Sequence, residues 1–299
     1  MAHDWQSATA GNGMVLLRCL VNTLRLSAGP AEAAGVLRLF VKAAAWRARG
    51  EPGPAPDQTL RLQGVTHVLG LGTGELLVPQ EIYWERGYDR LDDFVPRPGW
   101  VVFDAGANTG VYAVQQARRG AHVYAYEPNP DCYRRLRKAV DANGLAGRVT
   151  PLNRALGAAP GTGEMILPAG LTTMGSLRPE WTPAAGDTRV GVEVDTIDQA
   201  VARLGIARID LLKVDVEGLE MDVLDGAHEA LARVERAVVE YHSRDLGRRV
   251  AERLGGRGLT TVLDHRMYQG EESAYRGVGR GLLFARRQAS PGATGAAVA

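Results

Sequence analysis

Apolar positions recur with a helical period from Met14 to about Arg49. Leu16, Leu17, Leu20 and Leu24 come first, and Val36, Leu37, Phe40, Val41 and Ala44 follow a break at Gly29-Pro30. The spacing predicts two helices. Residues 50–56 hold three prolines and two glycines, through which neither helix can continue. The expectation is a helical appendage and hinge over residues 1–56, with the main domain over 57–287. Beyond the hinge, Leu60, Leu62, Val65, His67, Leu69 and Leu71 alternate with other residues, as the strands of a hairpin do. Gly70, Gly72 and Gly74 have the look of a nucleotide loop, but no strand-then-helix pattern surrounds them and they read as a turn.

From Trp100 to Val239 another rhythm takes over. Residues 101–103 form a strand running into Asp104, 111–119 a helix, 121–126 a strand and 130–143 a helix, and 149–156 contain a third strand. A helix over 197–204 precedes a fourth strand at 209–214, and a helix over 218–231 precedes a fifth at 236–240. Strands alternating with helices imply a parallel sheet. Between the third and fourth strands, residues 161–194 carry β-like pieces at 165–167 and 190–194 around a loop rich in Thr, Gly and Pro. A loop of that length is expected to cover a substrate pocket. Residues 260–263 and 281–285 read as an antiparallel pair at the sheet edge, and 288–299 as a disordered tail.

Composition narrows the class. With 299 residues, 45% hydrophobic and 23% charged, the chain can bury a substantial core without staples. Thirty-five Lys and Arg against 34 Asp and Glu leave a net charge of +1, so no overall field draws in nucleic acid. Cys19 and Cys132 stand far apart, with no CxxC pair and no His cluster at ligand spacing, which argues against a disulfide framework and a structural zinc. The apolar run over 14–21 is cut by Arg18 and preceded by Asp4, which fits neither a signal peptide nor a membrane span, and the expected location is the cytoplasm. Arg38, Lys42, Arg47 and Arg49 flank the stripe of the second helix and read as a solvated face rather than a membrane-surface or partner-recruiting one. A homodimer through the N-terminal helices is a further expectation.

The strongest chemical signal is Asp104-Ala105-Gly106-Ala107-Asn108-Thr109-Gly110, placed directly after an apolar strand and before a helix. A doubly wound sheet binds nucleoside-like ligands at that point. The glycines are spaced GxxxG rather than GxGxxG, which disfavours a pyrophosphate cradle. The next strand ends at Glu127, at the distance where a carboxylate takes both hydroxyls of a ribose. S-adenosylmethionine has that diol, lacks phosphate and carries two cations, so an acid at Asp104 suits it better than NAD or ATP. The competing reading has Asp104 capping the turn and Glu127 as a solvated loop acid.

The segments VVFDAGANTGVYAVQQARRG, VYAYEPNPDCYRRLRKAVDANGL and IDLLKVDVEGLEMDVLDGAHEAL, in that order over roughly residues 80–245, resemble the FkbM family of S-adenosylmethionine-dependent methyltransferases. The resemblance implies a class I methyltransferase fold: a Rossmann-like seven-stranded sheet with its last strand antiparallel and helices on both faces. It implies that Gly106, Asn108 and Gly110 wrap the methionine part, that Glu127 holds the ribose, and that Asn129, Asn153, Arg154 and Ala155 lie near the adenine. The family's KxDxEGxE string is present as Lys213, Asp215, Glu217, Gly218 and Glu220. Asp215, ending the fourth strand, should point to the sulfonium edge, while Glu217 begins a helix whose N-terminus welcomes an acid. Glu220 completes a capping arrangement and Lys213 can pair with a neighbouring acid.

Glu240-Tyr241-His242 closes the fifth strand and faces the same crevice. His242, beside carboxylates, is a candidate for the base at neutral pH, with Asp215 and Glu217 as the other candidates. Asp215, Glu217 and Glu240 could gather a divalent ion, but spacing alone does not show convergence, and no metal is expected. Around Glu81, Tyr83 and Tyr88 read as packing of an N-terminal helix or lid before a substrate box. Met174, Trp181, Tyr268 and Tyr275 are candidates for the acceptor pocket. The expected reaction is O-methylation of a hydroxyl on a small natural product or sugar; N-methylation of an amine, a nicotinamide-dependent oxidoreductase and a non-catalytic binding module are the alternatives.

Overall fold

The computed structural model describes residues 13–49, 56–71, 73–168, 175, 177, 186–266 and 279–288. Helices α1 (Gly13–Leu26) and α2 (Pro30–Arg49) lead into a hairpin, β1 (Asp57–Leu62) and β2 (Val65–Gly70). Next come α3 (Thr73–Pro79) and a π-helical turn, Gln80–Glu85. The main series is β3 (Val101–Ala105), α4 (Val111–Arg118), β4 (His122–Tyr126), α5 (Pro130–Ala142), β5 (Val149–Leu152), β6 (Ala155–Leu156), β7 (Gly161–Leu167), β8 (Thr188–Asp195), α6 (Ile197–Leu204), β9 (Leu211–Val214), α7 (Glu220–Asp225), β10 (Arg236–Tyr241), α8 (Arg244–Gly255), β11 (Leu259–Arg266) and β12 (Gly281–Arg287).

Seven strands form the central sheet in the order β11-β12-β10-β9-β3-β4-β5. Pairing is parallel from β10 through β5, and β12 runs antiparallel between β10 and β11. Neighbouring strand residues are apolar on both faces. Val102, Leu211, Val238 and Phe284 pack in one cluster, while Phe103, Leu212, Val239 and Leu283 pack in the other. A sheet covered on both sides requires this continuous apolar run. Helices α4 and α5 pack on the first face, and α6, α7 and α8 on the second. Val36, Leu39 and Ala43 of α2 are buried in the same cluster as the hairpin, so the N-terminal helices share the core of the first face.

Several expectations change in detail. The third strand is split into β5 and β6 at Asn153-Arg154, and the helix expected over 218–231 stops at Asp225 and resumes as a short turn, Ala230–Arg233. Helix α8 carries no expectation from the pattern, yet the Ser243 hydroxyl caps it by accepting the Leu246 N–H at 3.1 Å, and Val250 and Leu254 anchor it. β7 and β8 pair along their whole length and join β6 in a small second sheet. Gly70 ends a strand shortly before a helix, correcting the reading of a bare turn, and its N–H donates to the Glu75 carboxylate. Glu75 in turn pairs with Arg135 of α5 at 2.6 Å, both fully buried, and Arg135 Nε reaches Asp57 at 2.9 Å. This triad fixes the hairpin to the main domain. Residues 50–55, 289–299, Met174, Trp181, Tyr268 and Tyr275 lie outside the described residues.

Candidate active site

Strands β3, β4, β5, β9 and β10 run parallel and end on the same edge, and the loops leaving β3, β4, β5 and β9 meet there. Gly106 follows β3 at φ +82°, and a Cβ on it would stand 1.8 Å from the Asp215 carbonyl oxygen. Only glycine lets those two backbones touch. Asn108 is left-handed, with φ 53°, and its Oδ1 accepts the Thr109 N–H at 2.7 Å. Gly110, also left-handed, starts α4, and a Cβ there would meet Leu136 Cδ1 at 2.2 Å. Gly110 thus serves the packing of α4 on α5, while Gly106 and Asn108 line a cleft.

Glu127, one residue past β4, is buried and joins two loops: Oε2 accepts the Asn108 N–H at 2.7 Å and Oε1 the Asn129 N–H at 2.8 Å. Burial pushes its carboxyl up to about 7 in spite of those two bonds. Each oxygen keeps a second lone pair free to accept from a ligand hydroxyl. Gly106, Asn108, Glu127, Ala155, Asp215 and Glu217 all line the cleft. Tyr126, Cys132, Leu156 and Met165 line it as well. Nothing in their spacing marks them, because an apolar wall has no chemistry that sequence patterns record. Gly175 and Leu177, within the long insertion, also border it.

Other candidates hold the site from behind. Asp104 is fully buried, and its Oδ1 accepts from Lys213 Nζ at 2.8 Å. Lys213 also donates to Gly106 O at 3.1 Å and lies over the rings of Tyr88 and Tyr112. Burial would discharge it, yet the Asp104 and Asp215 carboxylates keep it charged. Asn129 caps α5 by accepting the Asp131 N–H at 3.0 Å. Asn153 Nδ2 donates to the carbonyls of Glu127 and Pro128 at 2.9 and 3.0 Å. Arg154 lines the cleft and pairs with Glu193 at 2.6 Å.

Beyond Asp215 the site becomes acidic. Tyr88 Oη lies 2.9 Å from Asp215 Oδ2 and 3.0 Å from Glu240 Oε2. A phenol has one proton, so Tyr88 donates to one of the two acids at a time. Burial and the charge of Asp215 raise the pKa of Glu240. Tyr83, by contrast, is buried in the core and meets His67 Nε2 at 3.0 Å. Glu217 has the left-handed φ of 52°, a conformation that costs a residue with Cβ about 1–3 kcal/mol and aims its carboxylate at the cleft.

His242 Nδ1 meets Glu220 Oε1 at 2.6 Å; Nε2 is 3.2 Å from Glu217 Oε2 and 3.7 Å from Glu240 Oε1. Burial would lower its pKa, but the Glu217 charge and the bond to Glu220 raise it well above the ordinary value.

The family model for a methyltransferase FkbM domain matches residues 104–276. The chain is 32% identical over 239 residues to 31-O-demethyl-FK506 methyltransferase FkbM of Streptomyces tacrolimicus, covering 69% of this chain and 90% of that protein. It is 33% identical to the hexuronic acid methyltransferase AglP of Haloferax volcanii over 149 residues, 48% of this chain and 56% of that protein. A solved methyltransferase FkbM from Methylobacillus flagellatus KT aligns with a TM-score of 0.44 and 13% identity, over 90% of this chain and 58% of that one. Among the described residues, no helix is long and apolar enough to cross a membrane.

Proposed function

We propose that this chain, which belongs to the FkbM family of methyltransferases, methylates a hydroxyl of a small natural product or a sugar. One relative is named for an oxygen position of FK506 and another for a hexuronic acid, and these names support the acceptor class. S-adenosylmethionine supplies a methyl carbon activated by a positive sulfur. The observation that carries the reading is the meeting, in one cleft, of a glycine-lined turn, a ribose-ready carboxylate at Glu127, and the acids Asp215 and Glu217.

Glu127 accepts the ribose hydroxyls while holding the Asn108 and Asn129 backbones in place. Gly106 keeps the floor of the cleft low enough for the cofactor's methionine portion. Displacement at a methyl carbon needs alignment above all, so the rigid loops around Gly106 and Asp215 supply most of the catalysis. A neutral alcohol also needs to lose its proton as the new bond forms. That proton goes to a cleft-lining carboxylate, Asp215 or Glu217.

Calorimetric titration with S-adenosylmethionine and with NAD, followed by transfer assays on paired alcohol and amine acceptors, tests the proposal. Binding of S-adenosylmethionine, weakened at least tenfold in Glu127→Ala, and label appearing on alcohols are expected. Tight NAD binding in its place would overturn the cofactor site, and methylation of amines alone would overturn the hydroxyl acceptor.

A further inference from the structure

One side chain in the acidic region lacks what its surroundings are built to give. His242 is nine-tenths buried, and its Nδ1 is clamped by Glu220, itself fully buried. Nε2 makes no hydrogen bond: Glu217 Oε2, at 3.2 Å, lies outside hydrogen-bond geometry. The orphaned nitrogen faces Asp215 and Glu240, and one ligand atom from each of the three residues lies within 4.8 Å of the others. A carboxylate on one ring nitrogen is the usual means of presenting the other to a metal.

We infer that Asp215, Glu240 and His242 form a binding site for one divalent first-row cation beside the methyl-transfer cleft. Small side-chain shifts bring all three atoms onto one ion with bonds of about 2.0–2.2 Å. Two carboxylates and one imidazole suit Mn²⁺, Fe²⁺ or Zn²⁺ better than Ca²⁺, which takes oxygen alone. Charge favours the same occupant. Glu81, Asp215, Glu217, Glu220 and Glu240 crowd this region, with Arg280 on Glu240 and His242 on Glu217 and Glu220 as their cationic partners, while Lys213 is tied to Asp104. On binding, the ion replaces any proton on its ligand atoms, so its affinity rises with pH.

Resting on the methyl-transfer reading, the site has a defined use. Asp215 lines the cleft, so an ion held there reaches an acceptor hydroxyl, lowers its pKa and fixes its oxygen. With Asp215 ligating, Glu217 is left to take the hydroxyl proton.

The test is Mn²⁺ titration of the EDTA-stripped full-length protein at pH 6.5 and 8, followed by electron paramagnetic resonance. Electron-spin-echo modulation on the same sample shows whether an imidazole nitrogen is bound to the ion. One Mn²⁺ per chain with ¹⁴N coupling, tighter at the higher pH, is expected. His242→Gln should lose the coupling, and Glu220→Gln should weaken binding by about 10–100-fold. No stoichiometric binding, or binding without ¹⁴N coupling in the wild type, would overturn the site, and the latter needs no variant to fold. Calorimetric binding of S-adenosylmethionine with EDTA present reports separately on the methyl-transfer reading, so the two can fail independently.

Discussion

At the scale of single residues, the position of Glu127 was legible, at the end of the second strand, and the structure sets it in the cleft lining. Its environment was not legible: the two backbone N–H groups on its oxygens come from Asn108 and Asn129, on different loops. Its pKa of about 7, above the ordinary 4.5, has two consequences of stated sign. Its contribution to the stability of the ligand-free protein is fully present below pH 4.5 and is lost as pH rises through 7. A ribose diol donates to the ionised form, so affinity for S-adenosylmethionine should fall as pH drops below 7. Calorimetry from pH 5.5 to 8 checks this, and Glu127→Gln should bind weakly with little pH dependence. Asp104 illustrates the opposite case. Sequence places it at the right loop, but only the packing shows its pairing with Lys213. For the chemistry itself, Glu217→Gln should lower kcat by about 100-fold or more while the Kd for S-adenosylmethionine is unchanged, measured by turnover and calorimetry side by side.

At the scale of elements, the β-α alternation from β3 to β10 was readable since strand and helix periods differ so plainly over this length. What escaped was short or set by tertiary contacts. Helix α8 is charged on most of its surface and anchored by a narrow stripe of Leu246, Val250 and Leu254, so few apolar residues announce it, and the π-helical turn has no period of its own. That turn and the residues after it place Tyr83 in the core and Tyr88 on the acids, a division that the spacing of the two tyrosines does not reveal. Two tests belong here. Gly110→Ala forces a side chain into the left-handed region and against Leu136, and should cost about 2–4 kcal/mol in chemical denaturation. His67, buried between β2 and the π-helical turn, has its pKa lowered by burial from 6.5 to about 4. Its share of stability is present above pH 6.5 and lost as pH falls toward 4, roughly 3 kcal/mol in all. His67→Leu should flatten that part of the Tm-against-pH curve.

At the scale of the molecule, the order β11-β12-β10-β9-β3-β4-β5 puts the loop glycines, Glu127 and the acids of β9 and β10 on one edge. The sequence pattern shows strands and their ends, but lateral order comes from pairing between distant segments. The family match begins at residue 104, whereas Tyr88, on the segment before it, touches Asp215 and Glu240. Tyr88→Phe should therefore leave binding of S-adenosylmethionine intact and lower kcat with a displaced pH profile, since the proton that the phenol shares with the two acids has lost its bridge.

The Arg135 staple has a practical corollary for anyone wishing to recombine such enzymes. Because this guanidinium spans Glu75 and Asp57, the upstream hairpin travels with α5 as one piece. A chimera joined at the start of the recognisable catalytic region would strand a buried cation and leave its phenol behind. A junction ahead of Asp57 would carry both across intact.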